Sequence, residues 1–283
     1  MSARNKSLIE IHLSVFLFGI SGLFGKLLSL PPMIIVFGRV FFSSIFLFIL
    51  LRVLKKGIRL KDKKHYLYLT IMGIILAIHW STFFKSIQIS TVAIGLLTFS
   101  TFPVFVTFLE PYFLKEKIKL KDIVLALITF SGVVLVIPQF ELGNSMTQGV
   151  LWGIISGFTY AILSMLNRSY VKGYSGTVIA FYEQFVAAIV LIPFLFIQKA
   201  IFSSKDILLL IVLGVIFTGI SHSLFINGLK NIRTQTAGIL SSLEPVYGIV
   251  FAAFLLKELP TLREVLGGIL ILGTVMYTSI KSK

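Results

Sequence analysis

The chain contains no cysteine. Disulfides, thiolate nucleophiles and cysteine-held metals are therefore excluded, while the absence says nothing about compartment. Charge is scarce as well: 13% of the 283 residues are Asp, Glu, Lys or Arg, against about 25% in an ordinary soluble domain. Neither HExxH, GxSxG, a P-loop nor a Cys/His cluster occurs, and Asp62, Asp122 and Asp206 stand at the ends of apolar runs. The sequence thus indicates no enzyme chemistry, and no cofactor or metal is expected.

What the chain does have is hydrophobic surface, 57% of its residues, with a mean hydropathy of +0.98. Apolar runs of the about 17 to 25 residues needed to cross a bilayer recur at 8–29, 31–53, 66–84, 90–114, 121–138, 148–168, 176–198, 206–229, 234–256 and 261–280. The connections are short, the longest charged one reading RVLKKGIRLKDKKH. One all-α integral membrane unit with ten transmembrane helices is expected. The first run follows Arg4 and Lys6 but is too long for a signal-peptide core and lacks a small-residue cleavage site, so it reads as a retained span.

The net charge of +15 is unevenly placed. With a cytoplasmic N-terminus and ten spans, 19 Lys and Arg fall on the inner side and 6 on the outer, with Arg39 inside a span. That asymmetry is the positive-inside signal and puts both termini in the cytoplasm. The lysines are split among short loops without an aromatic platform, which argues against nucleic acid. The surroundings are membrane lipids, and the location a cell membrane of the bacterial inner-membrane kind.

The chain also repeats itself. A shift of 142 positions places Pro103 on Pro245, Lys115 on Lys257 and Glu116 on Glu258, and in the first span of each half Phe18-Gly19 on Tyr160-Ala161 and Lys26 on Arg168. With two extra residues, FGRVF (37–41) meets FYEQF (181–185). The halves are 1–140 and 145–283. Each holds five spans, an odd number, so the second copy crosses the membrane in the opposite sense: an inverted-topology repeat, which places a substrate site near the midplane.

The phrases LLTFSTFPVFVTFLEPYFLKEK and AGILSSLEPVYGIVFAAFLLKE, together with the ten-span plan, resemble the EamA branch of the drug/metabolite transporter superfamily. The resemblance covers nearly the whole chain, although Lys115 and Lys257 stand where that family often has glycine before the glutamate. It implies that spans one to four and six to nine surround a central cavity while five and ten lie at the periphery. It also implies export or exchange of a small metabolite: an amino acid, an amine, a nucleotide sugar or a similar solute.

Ionisable residues inside spans are costly, about 2.5 to 3.5 kcal/mol each on insertion scales, and are functional candidates for that reason. They are Arg39, Glu110, Glu183 and Glu244. Arg39 and Glu183 match between the repeats with opposite charge, so they either pair or line the cavity at different depths. His79 and His222 fall in corresponding spans and can titrate. Trp80, Tyr182 and Tyr247, with Tyr160, offer rings with a polar handle for a cavity wall. Pro103, Pro111 and Pro245 are expected to free the carbonyls of Phe99, Thr107 and Ser241. The Gly149, Gly153, Gly157 series and the Gly248, Ala252 pair read as helix-packing faces.

Acceptors outnumber fixed cations in this set. The substrate expected is a small cationic or zwitterionic organic metabolite, carried by alternating access, with protons as a coupling ion. A facilitated uptake carrier or exchanger for another class and a lipid-linked flippase remain alternatives, and a homodimer is an open assembly. The topology generates the first prediction. Cysteine introduced singly at Lys63 and at Asn144 labels from opposite faces of the membrane, because the chain crosses it three times between those loops; labelling from one face would refute the inverted repeat.

Overall fold

The computed structural model describes residues 2–114, 120–137, 141 and 143–281 and, within them, every side chain save those of residues 110–114, 121–122, 235, 239, 275 and 278–281. These residues form helices and no strand. In order they are α1 (Ala3–Ser21), α2 (Phe24–Leu27), α3 (Pro32–Val53), α4 (Lys63–Ile89), α5 (Val92–Phe99), α6 (Phe102–Leu114), α7 (Leu120–Val136), α8 (Ser145–Tyr170), α9 (Gly176–Ile197) and α10 (Ser204–Gly214). A π-helical turn over Val215–Ile220 leads into α11 (Ser221–Gly228), followed by α12 (Thr234–Ser241), α13 (Glu244–Leu255) and α14 (Leu262–Lys281). Among the described residues, 7 helical segments are long and apolar enough to cross a membrane, and Ile123–Val136 and Glu244–Leu255 are shorter apolar helices.

Helix starts follow local chemistry. The side chains of Asp62, Thr91, Asn144, Ser175 and Ser203 each accept a backbone N–H from the first turn that follows, satisfying donors that have no partner within the helix. Pro32 opens α3, where its missing N–H costs nothing.

Two expected spans are broken. The run 90–114 divides at Ser100–Thr101 and the run 234–256 at Ser242–Leu243, positions related by the same shift of 142. Pro103 and Pro245 therefore stand in the first turns of α6 and α13 rather than kinking a continuous helix, which corrects the sequence expectation. The proline ring fits a first turn and resists an interior one. Short turns carry the backbone across each break: Thr101 N–H donates to Thr98 at 3.2 Å, and Leu243 N–H to Leu240 at 3.1 Å. Glu110 and Pro111 belong to α6, but their side chains lie outside the described residues.

The packing of the halves is reciprocal. Helix α1 packs on α11 and α13, α8 packs on α4, α5 and α6, α3 packs on α9, and α7 packs on α14. Backbones meet at glycine. A Cβ at Gly157 would sit 3.0 Å from the carbonyl oxygen of Phe99, at Gly19 2.8 Å from that of Glu244, and at Gly153 against the Thr98 side chain. The Lys26 Nζ donates to the Ser90 carbonyl at 2.6 Å, and its repeat partner Arg168 donates to the carbonyls of Leu229 and Ile232. Each cation thus ties the first span of its half to the end of the third.

A carboxylate latch joins the halves beside Lys26. Glu258 Oε1 accepts the Val92 N–H at 2.5 Å, and Glu264 Oε1 accepts the Thr91 hydroxyl at 2.8 Å. Burial pushes the Glu258 carboxyl up from its ordinary value, with the Val92 N–H and Lys26 pulling the other way. A raised acid favours folding in its protonated form, so its contribution is present below the unfolded carboxylate pKa, about 4.3, and is lost as pH rises through the folded value. Glu258→Gln, which keeps an acceptor for Val92, is expected to raise Tm slightly at pH 7 and to lose that gain toward pH 4; a lower Tm at pH 7 would show that the charge itself holds the latch.

Candidate functional site

Between the two breaks lies a cavity of about 20 Å³, room for about one water. Phe18 and Ser21 reach it from α1, Arg39 from α3, His79, Trp80 and Phe83 from α4, and Phe99 from α5. From the second half come Tyr160 on α8, His222 on α11 and Glu244 at the start of α13. Among the described residues, none from α7 or α14 lines it. Six of the residues singled out from the sequence meet here: Arg39, His79, Trp80, Tyr160, His222 and Glu244.

Arg39 is 1% exposed. Its guanidinium carbon lies 3.9 Å from the centre of the Trp80 ring and 5.2 Å from that of Phe84, a cation–π arrangement strengthened by the lack of water. Its Nε donates to Thr218 Oγ1 at 2.9 Å. Thr218 is in the π turn, and its own hydroxyl proton goes to the Leu213 carbonyl, five residues back, at 2.7 Å. The widened turn makes both bonds from one hydroxyl.

Glu244 begins α13 directly after the break, where the helix N-terminus favours a negative charge. It is 5% exposed. Among the described residues its carboxylate has neither a hydrogen-bond partner nor a cation within 4.0 Å. It feels Arg39 across the cavity as a separated opposite charge.

Glu183 does not pair with Arg39. Its Oε2 lies 2.7 Å from His222 Nε2, in a pair whose members are 0% and 1% exposed. Glu183 Oε1 and His222 Nδ1 have no hydrogen-bond partner among the described residues. The Trp80 ring stands edge-on to the His222 ring with centroids 5.4 Å apart. Thus Glu183 reaches the cavity through an imidazole. His79 is anchored differently: its Nδ1–H donates to the Ser156 carbonyl at 3.1 Å, and its ring lies 4.8 Å from that of Tyr160.

Two candidates lie elsewhere. The Tyr182 hydroxyl donates to the Ile58 carbonyl at 2.9 Å, and its ring meets Tyr66, so it closes a loop. Tyr247 packs its ring edge against Phe16 at 5.3 Å. Phe18, Ser21, Phe83, Phe99 and Thr218 were not anticipated as site residues. The repeat held part of the signal, since Phe18 matches Tyr160 under the 142-residue shift and both line the cavity.

Removing one member of a buried pair leaves the other uncompensated, a loss of about 3 to 5 kcal/mol. Glu183→Leu is expected to lower the unfolding temperature in detergent strongly, whereas Glu183→Gln, which still offers His222 an acceptor, lowers it much less. Equal loss in both would mean that charge, not hydrogen bonding, joins the pair.

Known proteins share the fold of this chain. A solved crystal structure superposes with a TM-score of 0.73 over 99% of this chain and 100% of that one at 15% identity, which shows the fold. An uncharacterized transporter of Bacillus subtilis, YxxF, is 27% identical over 289 residues, covering 99% of this chain and 92% of the relative. A protein of Rickettsia conorii named S-adenosylmethionine uptake transporter is 24% identical over 250 residues, 88% of this chain and 83% of the relative. The EamA-like transporter family matches residues 5–137 and again 147–280. With both halves matched, the chain belongs to the EamA-like transporter family and is a multi-pass membrane transporter.

Proposed function

We propose that the protein carries a small cationic or zwitterionic organic solute across a bacterial inner membrane by alternating access between two inverted repeats, 1–140 and 145–283, with both termini in the cytoplasm. The observation that carries this reading is Glu244: a buried carboxylate without a bonded partner among the described residues, facing Arg39 across an aromatic cavity. A solute ammonium or sulfonium would lie against the rings and the carboxylate. A carboxylate on the same solute would find the guanidinium.

Three features support the mechanism. Equivalent spans of the halves make exchanged contacts, α1 on α11 and α13 against α8 on α4, α5 and α6. The cations Lys26 and Arg168 tie matching points at positions related by the 142-residue shift. The cavity, at about 20 Å³, is too small for an organic metabolite, so one is accommodated only when the halves move apart.

The Glu183–His222 pair is the proposed proton site, because a proton shared there alters the charge that a solute meets. Uptake is the second reading for direction, and the names of the two Rickettsia relatives, both S-adenosylmethionine uptake transporters, favour it.

The test is transport into proteoliposomes of amino acids, polyamines, quaternary amines, sulfonium compounds and phosphorylated anions, with and without a pH gradient. Cations or zwitterions are expected to move, and Glu244→Gln to weaken their binding more than tenfold, about 1.4 kcal/mol. Unchanged affinity in that variant, or preference for a phosphorylated anion, would reject the substrate class; indifference to the gradient would reject the proton.

A further inference from the structure

We propose that Arg39 is the cavity's own cation: it stands in for the transported one when the carrier is empty and so allows the empty carrier to change conformation. The inference rests on the alternating-access reading above and adds a separate role to it.

Three observations point to it. Arg39 and Glu244 line one cavity, yet no carboxylate lies within 4.0 Å of the guanidinium among the described residues. The two charges oppose each other without being bonded together. The second acid, Glu183, is bonded to His222. Arg39 is therefore the cation left to balance Glu244. Moreover, the guanidinium occupies the face of Trp80 at 3.9 Å, the surface that a solute cation would take. Resident and transported cations compete for the same ring and the same field.

The physical consequence concerns the closed state. A cavity of about 20 Å³ holds too little water to solvate a carboxylate. Closing it over the ionised Glu244 carboxylate requires a positive charge inside. A bound solute cation supplies one, and Arg39 supplies one in its absence. Held by Nε on Thr218, Arg39 can leave the ring without leaving the cavity. Without Arg39, only the loaded carrier closes, and a carrier capable of net flux becomes an obligate exchanger.

Because the chain has no cysteine, the test needs no substrate. Ser21→Cys, on the cavity wall, is reacted in solute-free proteoliposomes with a membrane-impermeant maleimide added to one face at a time. With Arg39 present, labelling from both faces is expected. Arg39→Met slows labelling from one face at least tenfold, and adding Glu244→Gln restores it by removing the charge that needed balance. Arg39→Lys behaves as Arg39 does, and Arg39→Gln as Arg39→Met; a purely structural loss would not sort by charge. Two-sided labelling that Arg39→Met leaves unchanged, or a double variant that stays one-sided, overturns the role of Arg39 alone. One-sided labelling with Arg39 present overturns alternating access and this role with it.

Discussion

A carboxylate sealed into a nearly dry cavity has to be balanced, and the centre of this protein is arranged around that requirement. Glu244 sits where a helix begins, so the backbone contributes part of the compensation. Arg39 contributes the rest from across the cavity. The arginine is itself costly to bury, and it is held by an indole face and one threonine hydroxyl rather than by an acid. Had Arg39 bonded Glu244 directly, the two would have neutralised each other and left nothing for a solute to recognise. Keeping them apart leaves both charges unneutralised by each other, as the proposed recognition of a solute requires.

That separation depends on backbone irregularity. Continuous helices through 90–114 and 234–256 would not present a helix start at the level of the cavity. The breaks at Ser100–Thr101 and Ser242–Leu243 do so, and Ser100, Thr101 and Ser242 are buried against neighbouring helices, as unbonded backbone in an apolar setting requires. Gly157 lies against one break and Gly19 against the other. Any side chain there would hold α8 or α1 away from the turn. The π turn between α10 and α11 is a third irregularity, and it carries the hydroxyl that holds Arg39.

Much of this was legible in the sequence. Of the ten apolar runs, seven coincide with helical segments long and apolar enough to cross a membrane among the described residues, because a bilayer imposes a length that composition records. The charged residues inside those runs pointed to the two charges of the cavity, Arg39 and Glu244, because burying them is costly enough to be rare. The 142-residue shift located both breaks through their prolines, although it was read as kinking rather than interruption. Partnership was not legible. Arg39 and Glu183 match by repeat, yet one rests on Trp80 and the other on His222, a choice that only packing reveals. Nor could the sequence separate Tyr160, on the cavity wall, from Tyr182 and Tyr247, which face loops and neighbouring helices; ring type is the same in all three and only packing distinguishes them.

The chain has two tryptophans, and they occupy contrasting settings. Trp152 is 37% exposed on the outside of the bundle, whereas Trp80 lies beneath a guanidinium within the cavity. Indole emission responds to nearby charge and to water. Trp80 is consequently an intrinsic fluorophore placed to report whether the arginine is on its ring, and replacing Trp152 by phenylalanine would leave it as the sole indole, readable in the unlabelled protein.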